Sequence, residues 1–226
     1  MFQIALCTVF IITCMAHLVT FTVQQSLTLD SHILGFKIPG PSLPVIPQIF
    51  NVIFIALYNH VFVPVARRIT GIPTGIRYFQ RIEVELVPST ISMAVTGVVE
   101  TRRKSVSVQH NVVDSTEPLP MSAFWLGFQY AIFGLSDMFA PVGLLDFYYA
   151  RSSAGMKSIG TASLNCSLAF GYFTSSVVVE VVNWVTVGWL ASNNLNRDKL
   201  NYFYWLLSGM NMVNFFIFLV CASWYK

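Results

Sequence analysis

The residues with most to do chemically are carboxylates standing inside apolar runs. Asp137 and Asp146 share one such run, Gly134-Leu-Ser-Asp137-Met-Phe-Ala-Pro141-Val-Gly143-Leu-Leu-Asp146-Phe-Tyr-Tyr149. A carboxylate among apolar neighbours is costly unless it is paired, wetted or protonated, so each reads as a candidate titratable or ligand-binding group. A spacing of nine residues, at about 100° per residue in a helix, puts the two on opposite faces. They do not share one proton. Asp146 is followed by three aromatic residues and then by Arg151, which places it near the end of the run. It is the leading candidate for a titratable group lining a polar cavity, with a snorkelling interfacial acid as the alternative. Asp137 is the second candidate. Pro141 strips the Asp137 carbonyl of its helical donor, and with Gly134 and Gly143 nearby the run is expected to bend, Pro141 and Gly143 acting as the hinge. Bent helices that line a cavity are common in transporters.

Other acids read more plainly. Glu180 lies near the end of its own apolar run and is expected at an interface. Glu83 and Glu85 are expected in the first two turns of a helix, where the macrodipole favours acids. Arg81, four residues before Glu85, is positioned to pair with it. The four cysteines (Cys7, Cys14, Cys166, Cys221) sit in apolar runs with no C-x-x-C pair, and the four histidines form no H-E-x-x-H. Neither a disulfide framework nor a metal site is supported. No G-x-S-x-G, P-loop or glycine-rich dinucleotide turn is present, so neither an enzyme nor a cofactor is expected. Without a basic stripe interleaved with aromatics, nucleic acid is not an expected partner.

The elements that position these groups follow from composition. Of 226 residues, 55% are hydrophobic and 10% charged, against roughly 25% charged in soluble domains, and the mean hydropathy is +0.64. A chain so poor in charge cannot cover a water-facing surface, and a lipid bilayer is its expected solvent. Six stretches approach the roughly 20 apolar residues needed to cross: 2–23, 43–66, 78–99, 121–149, 159–183 and 202–224. The first lacks a basic leader and outlasts a signal-peptide core, so it reads as a span. The third is the weakest, because Glu83, Glu85 and Pro88 interrupt its first half. Charge collects between the stretches, notably Glu100-Thr-Arg-Arg-Lys104 in an expected polar loop over 102–120. Trp125, Trp184, Trp189, Tyr202, Trp205 and Trp224 gather at the ends of runs, as in an interfacial belt. Loop lysines and arginines divide almost evenly, so the positive-inside rule gives no orientation.

Several of these stretches resemble the plant nitrate/peptide transporter family (the proton-dependent oligopeptide transporters). They are Leu126-Gly-Phe-Gln-Tyr130-Ala-Ile-Phe-Gly134, Val142-Gly-Leu-Leu-Asp146-Phe-Tyr-Tyr149 and Gly155-Met-Lys-Ser-Ile-Gly160-Thr-Ala. Phe21-Thr-Val-Gln-Gln25, Phe36-Lys-Ile-Pro-Gly-Pro-Ser-Leu-Pro-Val-Ile-Pro47 and Tyr58-Asn-His60 with Pro64-Val-Ala-Arg-Arg68 add to them, as does Leu195-Asn-Arg-Asp-Lys-Leu-Asn-Tyr-Phe-Tyr-Trp205. The resemblance runs in order through nearly the whole chain.

It implies an all-α membrane protein whose six transmembrane helices, in one unit over 1–226, form the C-terminal bundle of a major-facilitator fold. Substrate would bind between two such bundles and proton symport would drive it. The loop from Arg67 to Arg81 and the C-terminus would be cytosolic, in the plasma or vacuolar membrane. The family's tenth-helix acid falls on Asp146, which becomes the candidate for substrate contact or proton coupling, with Asp137 and Tyr130 beside it. The expected function is half of a proton-coupled transporter for nitrate or another small solute such as a plant hormone. Its partners would be lipid, solute, proton, and an N-terminal bundle or full-length homologue. The chain also departs from the family. Glu83 and Glu85 stand where glycines are usual, and close helix packing should suffer there. Arg151 stands where an acid is common, and Ile46 precedes Pro47 where peptide transporters often carry asparagine. These departures support an alternative, a truncated and transport-inactive paralogue that acts by pairing with full-length transporters.

Overall fold

A computed structural model describes residues 2–30, 32–33, 36–37, 42, 45–71, 78–110, 119–122, 124–151, 157–186, 188–192 and 194–224. Within its helices and strands, the side chains of 2–6, 30, 32–33, 36–37, 70, 78–79, 124, 140–147, 150–151, 157 and 224 lie outside that description. Helix α1 (Phe2–Thr28) is followed by short strands β1 (Leu29–Asp30), β2 (His32–Ile33) and β3 (Phe36–Lys37). Next come α2 (Val45–Leu57), a π-helical turn (Tyr58–Phe62) and α3 (Val63–Thr70), which continue one another. Helix α4 (Tyr78–Gln109), strand β4 (Leu119–Ser122), α5 (Phe124–Arg151), α6 (Lys157–Val185) and α7 (Leu200–Trp224) complete the described chain. Strands β1 and β4 pair in parallel and tie two interhelical connections together at one end of the bundle.

Five of these helical stretches are long and apolar enough to cross a membrane: Cys7–Thr28, Val45–Ile69, Gln80–Gln109, Ser158–Val185 and Leu200–Ser223. That corrects the expected count of six. The expected fourth span, α5, is 28 residues long, or roughly 42 Å at 1.5 Å per residue. It is not among the five, however: Gln129, Ser136 and Asp137 dilute its described part, and residues 140–147 lie outside the side-chain description.

The third span shares the lowest hydropathy of the five, as expected, but it is not interrupted. Helix α4 runs unbroken for 32 residues through Pro88. Pro88 deprives the Val84 carbonyl of its helical donor, and transmembrane helices tolerate this where neighbours supply polar groups. One residue along, Ser136 of α5 donates to the Glu85 carbonyl at 3.1 Å. Ser92 donates to the Gln129 carbonyl at 3.3 Å, and these two bonds fix an antiparallel register along the most extensive helix contact of the bundle. On its other side α4 meets α7, where Asn211 donates to Ser89 at 2.8 Å. The close α4–α5 packing survives the two glutamates.

The expected loop at Glu100–Lys104 is helical as well, because the ends of α1 and α7 satisfy its charges. Arg103 and Glu100 are buried and paired at 2.7 Å. Gln25 of α1 donates to the same carboxylate at 2.7 Å, while Arg103 reaches Thr28 at 3.2 Å and Asn196 at 2.5 Å. Lys104 donates to the Asp198 carbonyl and to Asn201. This lock joins α1, α4 and the segment before α7 at one end of the bundle.

The core lies along α1, α4, α5 and α7, with Ile11, Leu18, Ile82, Leu86, Tyr130, Phe203 and Phe218 fully buried. Helices α2 and α6 flank it and leave most of their apolar surface exposed. Close approach depends on two glycines. A Cβ at Gly171 would lie 2.4 Å from the Ile12 side chain of α1, and one at Gly134 would lie 3.1 Å from the Pro47 carbonyl of α2. Gly134 is therefore a contact point between α2 and α5.

Candidate functional site

The approach of α2 to α5 at Gly134 sets up the polar centre of the bundle. One turn further along α5, Asp137 accepts a hydrogen bond from Asn51 of α2 at 2.6 Å. Asn51 and Gln48, three residues apart, point the same way because that spacing keeps one helix face. Glu85 of α4 approaches from the other side. The Ser136–Glu85 hydrogen bond brings its backbone against α5, and its side chain is fully buried. Neither Glu85 oxygen has a hydrogen-bond partner among the described residues, nor does Asn51 Oδ1.

Glu85 and Asp137 line one cavity of about 130 Å³. Thr8 and Met15 of α1, Gln48 of α2, Phe133 of α5, and Leu164 and Tyr172 of α6 add to its wall. It reaches the surface between α2 and α6, where Gln48 and Tyr172 are exposed. At about 30 Å³ per water it holds roughly four waters. A small-molecule site takes roughly 300–1,000 Å³. By itself the cavity suits water and small ions rather than an organic solute.

A second cavity, of about 320 Å³, is lined by Tyr58, Asn59, Arg81, Met138 and Phe139 and shares no lining residue with the first. The π-helical turn, of a kind often found at functional sites, presents Tyr58 and Asn59 to it. The Arg81 guanidinium carbon lies 5.9 Å from the Tyr58 ring centre, a cation–π separation. The expected Arg81–Glu85 hydrogen bond is not formed: Arg81 turns to Tyr58 and Glu85 faces α5.

Of the residues read from sequence, Asp137 lies in the first cavity. Tyr130 shares its face of α5, seven residues and so two turns away, but is fully buried in the core and does not line the cavity. The side chains of Asp146, Pro141 and Gly143 lie outside the described residues, within the continuous helix α5. Glu180 is exposed on α6 and Glu83 is half-buried on α4. Sequence reasoning missed Glu85, Asn51 and Gln48. Glu85 lies seven residues after Tyr78, the expected helix start, and only its burial against α5 sets it apart from a helix-start acid. For Asn51 the signal was the polar pair Gln48–Asn51 in an otherwise apolar run.

Comparison with known proteins assigns the fold to a family. Residues 1–196 match PTR2, the POT family. The chain is 42% identical over 229 residues to the protein NRT1/PTR family 4.4 of Arabidopsis thaliana, covering 97% of this chain and 37% of that one. It is 39% identical over 231 residues to NRT1/PTR family 4.6 of the same plant, covering 100% of this chain and 40% of that one. The chain thus spans well under half the length of these curated relatives. A solved structure, an auto-inhibited POT family peptide transporter, superposes with a TM-score of 0.65 at 15% identity, over 98% of this chain and 41% of the other. Helices that cross a membrane, a polar interior and these matches agree: this chain is an integral membrane protein belonging to the POT family, a family of transporters and not of enzymes.

Proposed function

We propose that this chain supplies the C-terminal bundle of a proton-coupled transporter for nitrate or another small solute such as a plant hormone. The observation that carries the reading is the water-sized cavity lined by one fully buried carboxyl group, Glu85, and one half-buried one, Asp137, inside a POT-family bundle. Buried carboxyls of this kind mark ion and proton pathways in membrane proteins. Asp146 is proposed as the group where proton and solute meet, on the strength of its match to the family's tenth-helix acid. Asp137 and Tyr130 support it from the opposite face of α5, and Pro141 and Gly143 give that helix its hinge. The exposed apolar faces of α2 and α6, with the cavity mouth between them, support a second bundle packed there, either an N-terminal half or a full-length homologue. The loop from Arg67 to Arg81 faces the cytosol, in the plasma or vacuolar membrane.

A second reading, a transport-inactive paralogue that pairs with full-length transporters, is favoured by one observation. Glu85 stands where the family resemblance expects glycine, and it places an unpartnered carboxyl at the main helix contact. Uptake separates the two. Cells expressing the chain, alone and with a family N-terminal bundle, are compared with Asp146→Asn for uptake of nitrate and hormones down an imposed proton gradient. Uptake that the substitution abolishes supports the first reading. No uptake in either setting, despite membrane insertion, supports the second.

A further inference from the structure

We propose that Glu85 and Asp137, with Asn51 beside them, hold a small monovalent cation, a proton or an alkali ion, inside this bundle. The chemistry of the site is one-sided. Glu85 is fully buried and lines the cavity with both carboxyl oxygens lacking a donor, and Asn51 Oδ1 lacks one too. The donor that Asn51 has is committed to Asp137 at 2.6 Å. Asp137 and Glu85 line the same cavity. Acceptors gathered from α2, α4 and α5 call for positive charge or a proton, because a buried acceptor left unmatched is expensive.

The groups on the surrounding helices fix the charge of that ligand. Helix α1 lines the cavity with no titratable group; its His17 turns to Ser175 at 3.3 Å and to Phe203. Helix α2 brings Gln48 and α6 brings Tyr172 to the cavity wall, and Asn51 of α2 reaches the site through its hydrogen bond to Asp137. Arg81, one turn from Glu85 on α4, lines the second cavity and not this one. Two carboxyl groups on one small cavity repel when both are ionised, and one monovalent cation held between them relieves that repulsion. Among the described residues no group of three His, Cys, Asp or Glu side chains gathers, so the site is too poor in ligands for a divalent metal. Glu85 stands where the family resemblance expects glycine. The inference deepens the cation-coupled reading above and rests on it. Its test reads binding rather than uptake, so the two fail separately.

The test uses the full chain purified into lipid nanodiscs. Its heat-unfolding midpoint is followed in sodium chloride and in choline chloride, from acidic to neutral pH. At a hundredfold excess over its dissociation constant the cation should raise the midpoint by roughly 5–10 °C. A rise with sodium at constant pH identifies an alkali ion. A rise on acidification in choline, with a titrating protonated-carboxyl infrared band, identifies a proton. Either response should vanish in Glu85→Gln and Asp137→Asn and persist in Glu83→Gln. Should Asp137→Asn fail to fold, the near-isosteric Glu85→Gln decides. A wild-type midpoint indifferent to both cations, or a Glu85→Gln protein that keeps the wild-type response, overturns the proposal.

Discussion

Replacing Arg103 with methionine keeps most of the buried alkyl volume and removes the positive end of the lock between α1, α4 and α7. The guanidinium donates to both oxygens of Glu100 at 2.7 and 2.8 Å, and to Thr28, Asn196 and the Leu195 carbonyl at 3.2, 2.5 and 3.2 Å. In Arg103→Met, Glu100 keeps the donor of Gln25 at 2.7 Å and stays buried with its charge uncompensated. Breaking one side of such a pair costs about 3–5 kcal/mol. Membrane double-mutant cycles tend to run lower, which puts the expectation at about 3 kcal/mol. Glu100→Gln with Arg103→Met removes both charges and leaves a loss of about 1 kcal/mol from the hydrogen bonds to Thr28, Asn196 and Leu195. Equilibrium unfolding in mixed micelles of dodecyl sulfate and dodecyl maltoside, followed by circular dichroism, measures both. The double variant should be about 2 kcal/mol more stable than Arg103→Met. If it is as unstable as the sum of the two single variants, the pair is not a unit and the reasoning fails.

Gly134→Val should push α2 from α5, since its Cβ would sit 3.0 Å from Phe50 Cβ and 3.1 Å from the Pro47 carbonyl; a loss of about 1–3 kcal/mol in the same micelles is expected. Gly171→Ala meets the Ile12 side chain at 2.4 Å and should cost a similar amount, whereas Gly209→Ala, with nothing within 4 Å, should be neutral or stabilising by about 0.5–1 kcal/mol. Equal effects at these two glycines would contradict the packing described. Outside the spans, burial pushes the Asp198 carboxyl above its ordinary value of 3.8, although the Ser192 amide and Lys104 pull the other way. A raised folded value means the group favours the fold below 3.8 and that this contribution is lost as pH rises through the folded value. Asp198→Asn should flatten that acidic slope in thermal unfolding, and an unchanged slope would assign it elsewhere.

The membrane class and the family were legible in the sequence because each rests on long local patterns: apolar runs of span length and ordered motifs such as Leu126–Gly134. What escaped depends on contacts between distant residues. Glu100–Lys104 reads as loop by its charge, and partners far away in the chain, among them Gln25, Thr28, Asn196 and Asn201, satisfy that charge within the helix. Pro88 and the two glutamates read as an interruption of α4, yet a serine on α5 supplies the donor beside the break. Glu85 looked like a helix-mouth acid paired with Arg81. The helix starts where expected, at Tyr78, but packing buried Glu85 in the cavity it shares with Asp137, which no spacing rule relates to it. Asp137 itself was legible, because an acid in an apolar run is conspicuous wherever its partners are.

Coupled movement of a solute and protons is the function proposed for this bundle. The direct measurement is proton flux into liposomes that contain the chain with a complementary N-terminal bundle, read from a trapped pH-sensitive dye. Adding nitrate or a hormone outside should acidify the interior, and Asp146→Asn should abolish the change. A solute that enters with no acidification, or a lumen that stays unchanged with every solute although the protein is inserted and folded, would contradict the claim.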